Sequence, residues 1–313
     1  MAPSLASIAI LASGQMGSSF AALLRTHSPS IRLITNLEGR SPRTVSLARE
    51  AGIEDVGSNE AVLKHSDLIF SILVPSQAVA LGQSIASSAA ELPPSSIRTK
   101  FYIDLNAIAP STTQSISKLF AATSIAFVDG GVIGGPATPT TSPLIAISGP
   151  QAAELNESLS PFFSGRTKVV GSTDAGQASA LKLSYASLSK GLTALATNAS
   201  VFASEHGVLD VLVEELGASN PGALKVVQNS VPRATAKAFR WVGEMQEIST
   251  AFAEVGLAGG AKAFAGIAET YEFVAANDEV GKESIEEALE KGRSHGEVVA
   301  ALAKDLKRPA KAE

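Results

Sequence analysis

Short apolar runs alternate with helix-like stretches through the first half of the chain. The runs are Ser7 to Leu11, Ile31 to Thr35, Leu68 to Leu73, Phe101 to Asp104, Ile125 to Val128 and Leu144 to Ser148. This alternation predicts an α/β domain with a doubly wound, mostly parallel sheet. From about Thr173 the pattern changes to long helical periodicity. Thr173 or Asp174 is placed to N-cap a helix running through Lys182 and Ala194 to about Glu205, ending before Gly207. Its apolar stripe includes Leu181, Leu188, Leu192 and Leu195. A further helix is expected to start at Pro232, a good first-turn residue, and to end near Val255, with Val242, Met245, Ile248, Phe252 and Val255 on one face. Ala261 to Ala276, Lys282 to Lys291 and Glu297 to Leu306 also fit helices, and the tail Lys307 to Glu313 reads as disordered. The expected organisation is an α/β domain over residues 1–172 and an all-α domain over residues 173–313, joined by the long helix.

Two segments break the alternation. Residues Ile8 to Gly17 carry an apolar strand straight into a glycine turn and then a helix. A dinucleotide pyrophosphate sits at such a turn, where backbone N–H groups and the positive end of the helix dipole face it. The G-x-G-x-x-G pattern is imperfect, with Ala12 at the first position and Gly14 and Gly17 at the second and third. An alanine there fits only if it keeps φ negative, and an ordinary strand-to-helix turn is the plain alternative. The second segment, Gly130 to Pro143, reads as a long loop after a parallel strand, where ligands bind in such sheets.

Composition removes several function classes. A chain of 313 residues, 45% hydrophobic, suits about two domains. The net charge is −5 and no basic stripe with interleaved aromatics is present, which argues against nucleic acid. Apolar runs such as Leu68 to Pro75 fall far short of the roughly 20 residues needed to span a bilayer, so a cytoplasmic protein without a membrane partner is expected. There is no cysteine, which excludes thiol nucleophiles and thiolate metal sites. The four histidines, His27, His65, His206 and His295, are too far apart in sequence to form a metal pair, so no metal is expected.

Two constellations carry chemistry. Asn36 ends the second strand and Arg40 with Ser41 follows. Arginine's planar fork and a serine hydroxyl suit a ribose 2′-phosphate, so NADP is favoured over NAD. Glu38 opposes this unless it points to solvent, and a plain surface turn is the alternative. Lys182 lies about two turns into a helix of Ala, Ser and Leu, with Tyr185 three residues on. A lysine on a helix joining two domains serves either as an interdomain ion pair or as the acid/base accompanying hydride transfer. Spacing alone favours the ion pair, and Lys190 is a second candidate.

These motifs resemble, in order, those of the β-hydroxyacid dehydrogenase superfamily, which includes 6-phosphogluconate dehydrogenase, 3-hydroxyisobutyrate dehydrogenase and the imine reductases. Ala12-Ser13-Gly14-Gln15-Met16-Gly17 resembles the family's G-x-G-x-M-G turn, and Asn36 with Arg40-Ser41 its N-R-[ST] segment. Asp129 to Gly135 resembles D-x-P-V-S-G-G, and Gly176 to Lys182 resembles G-x-G-x-x-x-K. Val74-Pro75-Ser76 resembles the loop on the nicotinamide side, and Asp104 to Pro110 the next strand end, where Asn106 would face the cleft. Arg240 to Ile248 resembles a branch with phosphogluconate-dehydrogenase-like C-terminal domains. The resemblance implies a Rossmann-type domain, NADP as cofactor, Lys182 as the catalytic lysine and a homodimer.

The departures bear on substrate. Ile133 replaces the family serine that holds substrate, and Ala186 replaces the asparagine four residues after the lysine, so two hydrogen-bond partners for a hydroxyacid are missing. Tyr185 is placed to substitute for that asparagine. The resulting expectation is an NADP-dependent oxidoreductase acting on a small carbonyl or hydroxy compound held over Ile133, Gly134 and Gly135. In it Lys182 is the acid/base, Tyr185 assists, and Trp241 and Met245 wall the pocket or simply pack. An imine reductase or reductive aminase, and an NADPH-binding protein without turnover, are the alternatives.

Overall fold

The computed structural model describes residues 5–138 and 140–306. The tail Lys307 to Glu313, expected to be disordered, lies outside the described residues. Contacts divide the chain into two compact units, Met1–Leu183 and Ser184–Glu313.

The first unit is a sheet of eight strands with helices between them. Strands β1 (Ser7–Leu11), β2 (Arg32–Thr35), β3 (Glu54–Asp55) and β4 (Leu68–Ser71) alternate with helices α1 (Gln15–His27), α2 (Pro42–Glu50) and α3 (Asn59–His65). Then come α4 (Ala78–Glu91), β5 (Phe101–Asp104), α5 (Pro110–Leu119), β6 (Ala126–Ile133), β7 (Leu144–Ser148), α6 (Ala152–Leu159) and β8 (Thr167–Gly171). The strand order is β3-β2-β1-β4-β5-β6-β7-β8, parallel throughout except for the antiparallel β6–β7 pair. The order reverses between β1 and β4, which opens a crevice at their carboxyl ends.

Burial on both faces explains why the strands read as unbroken apolar runs. Along β1, Ile8 and Ile10 join one core with Phe20, Phe70 and Phe163, while Ala9 and Leu11 join the other with Ile69 and Tyr102. Phe20 stands edge-on to Phe163 with ring centroids 5.1 Å apart. Gly17 lets α1 lie this close to β1, since a methyl there would meet Ile10 Cγ2 at 2.9 Å.

Four expectations need correction. Ala12 has φ +58°, not the negative value expected of an alanine; left-handed backbone costs an L-residue roughly 1–2 kcal/mol, so the turn is held by its surroundings. The segment Gly130 to Ile133 is strand, not loop, because β6 continues to Ile133 paired against β7. The long helix α7 (Gln177–Glu205) starts three residues after Asp174, since Gly176 takes φ +127° and neither Thr173 nor Asp174 caps it. Pro232 lies inside a helix rather than opening one: Asn220 caps α9, and Pro221 is its first-turn proline.

The cap of α7 comes from another element. Asp129, in the middle of β6 and fully buried, accepts from the backbone N–H groups of Gly176 (2.8 Å), Ala178 (3.0 Å) and Ser179 (3.1 Å). It also accepts from the hydroxyls of Ser179 (2.6 Å) and Ser148 (2.7 Å). A carboxylate at a helix N-terminus satisfies orphan donors and opposes the dipole at once.

The second unit is helical: α8 (Leu209–Ser219), α9 (Pro221–Ala234), α10 (Ala238–Glu254), α11 (Ala258–Ala276), α12 (Ile285–Lys291) and α13 (His295–Leu306), with most of α7. The stripe on α7 is exposed: Leu181, Tyr185, Leu188, Leu192, Leu195 and Phe202 all face outward. No helix among the described residues is long and apolar enough to cross a membrane.

Replacing Asp129 by Asn puts an amide donor among five donors. Asp129→Asn is therefore expected to lower the unfolding free energy by roughly 2–4 kcal/mol. Urea denaturation measures this, and a change below about 1 kcal/mol would show that the carboxylate does not hold α7.

Candidate functional site

The glycine turn is shaped to admit an anion. Gly14 is the N-cap of α1 with no side-chain bond to the helix, so the first-turn N–H groups at Gln15, Met16 and Gly17 are not capped by it. A methyl on Gly14 would meet only the Ala12 carbonyl oxygen, 4.0 Å away, so the approach is open. Ser13 faces inward, its hydroxyl donating to the Ile10 carbonyl at 3.0 Å, while its own carbonyl accepts from Ser18 Oγ at 3.2 Å. Met16 packs against the core. The loop after β6 is tied to this helix, with the Ala137 N–H donating to Ser19 Oγ at 3.0 Å.

At the end of β2 the chain makes a tight turn. Gly39 has φ +68°, and the Arg40 N–H returns to the Leu37 carbonyl at 3.1 Å. Asn36 is spent on local bonds: its Oδ1 accepts from the Glu38 N–H at 3.0 Å, and its Nδ2 donates to Asn59 Oδ1 at 3.0 Å. Glu38 is exposed. Ser41 caps α2 by accepting from the Thr44 N–H at 3.3 Å. A cavity of about 350 Å³ is bounded by Asn36, Glu38, Arg40, Asn59, Leu73 and Gln77. Arg40 Nε is buried there without a hydrogen-bond partner among the described residues. An unpaired guanidinium donor in a cavity at the carboxyl end of β2 fits an acidic group on the ribose of a dinucleotide.

Across the crevice, Val74 and Ser76 are exposed on the short 3-10 turn that follows β4, with Pro75 opening it. Asn106 is buried and holds that loop, since its amide donates to Ser71 Oγ at 2.9 Å and its Oδ1 accepts from the Leu73 N–H. The sequence expectation that Asn106 faces the cleft therefore becomes a positioning role. Asp104 lies beside Asp129 in the β5–β6 register. Burial, with the Asp129 charge adding, pushes the Asp104 carboxyl up to about 7, and its Oδ2 has no partner among the described residues.

Lys182 is brought to β6 by Gly131, while Gly130 beside it is crowded by the segment at the end of β5. A methyl on Gly130 would come within 2.6 Å of Leu105 and 3.0 Å of the Asp104 carbonyl oxygen; one on Gly131 would lie 2.7 Å from the Ala178 carbonyl and 2.9 Å from Lys182 Cβ. Gly131 lies two residues past the level of Asp104 and Asp129, toward the carboxyl ends of β5 and β6. The half-buried Lys182 thus stands at the edge of the sheet where the glycine turn opens. Ile133 ends β6, half-buried, and Gly134 and Gly135 are exposed beyond it. Sequence reasoning places Asp129 in this motif but misses its cap of α7.

The helical unit has its own polar centre. Lys190 pairs with buried Glu244 and lies 5.0 Å from the centroid of Trp241, which stands edge-on to Tyr271 at 5.1 Å. The Tyr271 hydroxyl donates to the Lys190 carbonyl at 2.7 Å. Met245 is fully buried, and Tyr185 is half exposed on α7. Glu244 is missed in the sequence, where its one signal is an acid on a helix face otherwise filled by Trp241, Met245 and Ile248. Among the described residues no group of three His, Asp or Glu is placed to hold a metal ion.

Comparison with known proteins agrees with this fold. The domain of unknown function DUF1932 matches residues 203–274. An uncharacterised 28.5 kDa protein in the 7S RNA 5′ region of Methanothermus fervidus is 25% identical over 186 residues, covering 59% of this chain and 67% of that protein. Among solved structures, the 3-hydroxyisobutyrate dehydrogenase of Mycobacterium tuberculosis, described with L-serine, superposes with a TM-score of 0.65 at 17% identity, covering 92% of this chain and 99% of that one. The reductive aminase of Aspergillus terreus, in complex with NADPH and ethyl-5-oxohexanoate, gives 0.54 at 20% identity, covering 93% and 100%. At these identities the likeness is one of fold. Residues 7–172, more than half of the chain and the stretch that builds the glycine turn, the Arg40 turn and the Gly130-Gly131 strand, match the NAD binding domain of 6-phosphogluconate dehydrogenase, and the chain belongs to that family.

Proposed function

We propose that this protein is an NADP-dependent oxidoreductase that reduces a small carbonyl compound, or oxidises the corresponding alcohol, at the carboxyl edge of the sheet. The observation that carries the reading is the joint placement of an open glycine turn, an unpaired Arg40 Nε and Lys182 on one edge of one sheet. The residues that would hold the dinucleotide are Ala12 to Gly17 at its pyrophosphate, Arg40 and Ser41 at a 2′-phosphate, and Val74 to Ser76 toward its nicotinamide. Bound there, the nicotinamide supplies or accepts the hydride.

Reduction of a carbonyl needs a proton on oxygen as well as a hydride on carbon. The Lys182 ammonium gives that proton from Nζ, and in oxidation the amine takes it back. The Tyr185 hydroxyl orients the same oxygen. Ile133, in place of a hydroxyl side chain, favours a substrate with an apolar group near the reacting carbon over a hydroxyacid rich in polar groups. The relative from Aspergillus terreus, whose structure contains NADPH, gives the reductive amination of a carbonyl as a second reading. The protein acts as a homodimer in which a second copy covers the stripe on α7. The spacing of Leu181, Tyr185, Leu188, Leu192, Leu195 and Phe202 alternates four and three residues with Ala199 in the series, as a helix-to-helix seam requires.

Three outcomes test the reading. Arg40→Ala is expected to raise the KM for NADPH by about tenfold to hundredfold and that for NADH by less than about twofold; equal effects remove the NADP assignment. Lys182→Ala is expected to lower kcat by about a hundredfold or more on β-semialdehydes and keto acids without changing the KM for NADPH. If cyclic imines or ketone–amine mixtures turn over and Lys182→Ala leaves them within about threefold, the carbonyl mechanism is wrong and the aminase reading stands. Light scattering should give a dimer mass for the native chain and a monomer for Leu188→Glu with Leu195→Glu; a native monomer, or a double variant that stays dimeric, excludes the α7 seam.

A further inference from the structure

We propose that the helical unit carries a second binding site, distinct from the dinucleotide turn, for a small organic anion with an apolar body. A cavity of about 370 Å³ lies between the end of α9, the 3-10 turn Thr235–Lys237, α12 and the start of α13. This is the size of a small-molecule site. One wall is basic, formed by Arg233 and Lys237, and another is apolar, formed by Ile285, Leu289 and Val298.

The charges in this cavity do not balance. Its one acid, Glu283, is already held by two cations, Arg293 at 2.5 and 2.6 Å and Lys291 at 2.5 Å. Among the described residues no carboxylate pairs with Arg233 or Lys237. Lys237 is half-buried, and burial first, then the Arg240 and Arg233 charges, lowers its pKa. A partly desolvated ammonium among like charges is stabilised by an anion that enters beside it. Leu289 on the opposite wall is largely exposed, a leucine with nothing over it that would pack against the body of such a ligand. A carboxylate and a phosphate monoester both supply the required head group. Gln228 and Asn229 also line the cavity.

The experiment titrates the full-length protein by calorimetry, without dinucleotide and at constant ionic strength, with phenyl phosphate, benzoate, inorganic phosphate and benzyl alcohol. The two aromatic anions should saturate, inorganic phosphate should bind at least about tenfold more weakly, and benzyl alcohol should give no saturable change. The tighter of the two aromatic anions identifies the head group. Arg233→Gln with Lys237→Gln should weaken the aromatic anions by about tenfold or more at an unchanged circular dichroism spectrum, while Arg40→Ala should leave them as they are. Should the double variant fail to fold, Lys237→Met alone is read the same way. Native-like binding in the basic-wall variant, loss of binding in Arg40→Ala, or equal binding of the neutral alcohol each overturns the proposal, and none of these bears on Lys182 turnover.

Discussion

One carboxylate organises the carboxyl edge of the sheet. Asp129 takes five hydrogen bonds, three from the first backbone groups of α7 and two from serines that brace it. The strand that carries it and the helix that it caps are thereby joined at a single point. Lys182 stands less than two turns beyond that point, too near for the helix to bend away from β6. Its place at the end of the sheet follows from the cap.

The neighbouring acid shows the other side of the same constraint. Asp104 lies next to Asp129 in the register but has one oxygen with no donor, and burial lifts its carboxyl to about 7. Two buried carboxylates side by side ionise together only if donors surround both. Here five donors go to Asp129 and the Asn106 N–H to Asp104, whose carboxyl is about half protonated near pH 7. Asp104 Oδ1 still accepts from the Asn106 N–H at 2.9 Å, so the half-neutral acid keeps its hold on the loop that begins at Leu73.

Much of this is legible in the sequence, and the gaps have physical causes. Strands β1, β5 and β7 stand where the apolar runs place them because each is covered on both faces, with Ser7, Asp104 and Ser148 confined to the strand ends. Arg40, Lys182 and the glycine turn are legible as local motifs. The cap of α7 is not, since the donors lie 47 to 50 residues from Asp129 and no local rule links them. Gly130 and Gly131 look like a loop because glycine signals flexibility in isolation, whereas here it marks crowding by Leu105, Ala178 and Lys182. Pro232 looks like a helix start for a similar reason, and the stronger signal, Asn220 before Pro221, carries the cap that decides the matter. Ala12 defeats a steric rule outright: its turn adopts positive φ without a glycine.

The crowding at Gly130 and Gly131 also sets a boundary on how this site can diverge. A methyl at Gly131 would collide with the backbone of α7 and one at Gly130 with the side chains of Ile103 and Leu105, so β6 has no side chain with which to explore new ligands over that stretch. Variation is channelled to the residues that follow, from Ile133 through the exposed glycines to the loop tied onto α1. A chain built on this strand keeps Lys182 packed against Gly131 and first gains side-chain freedom beyond it.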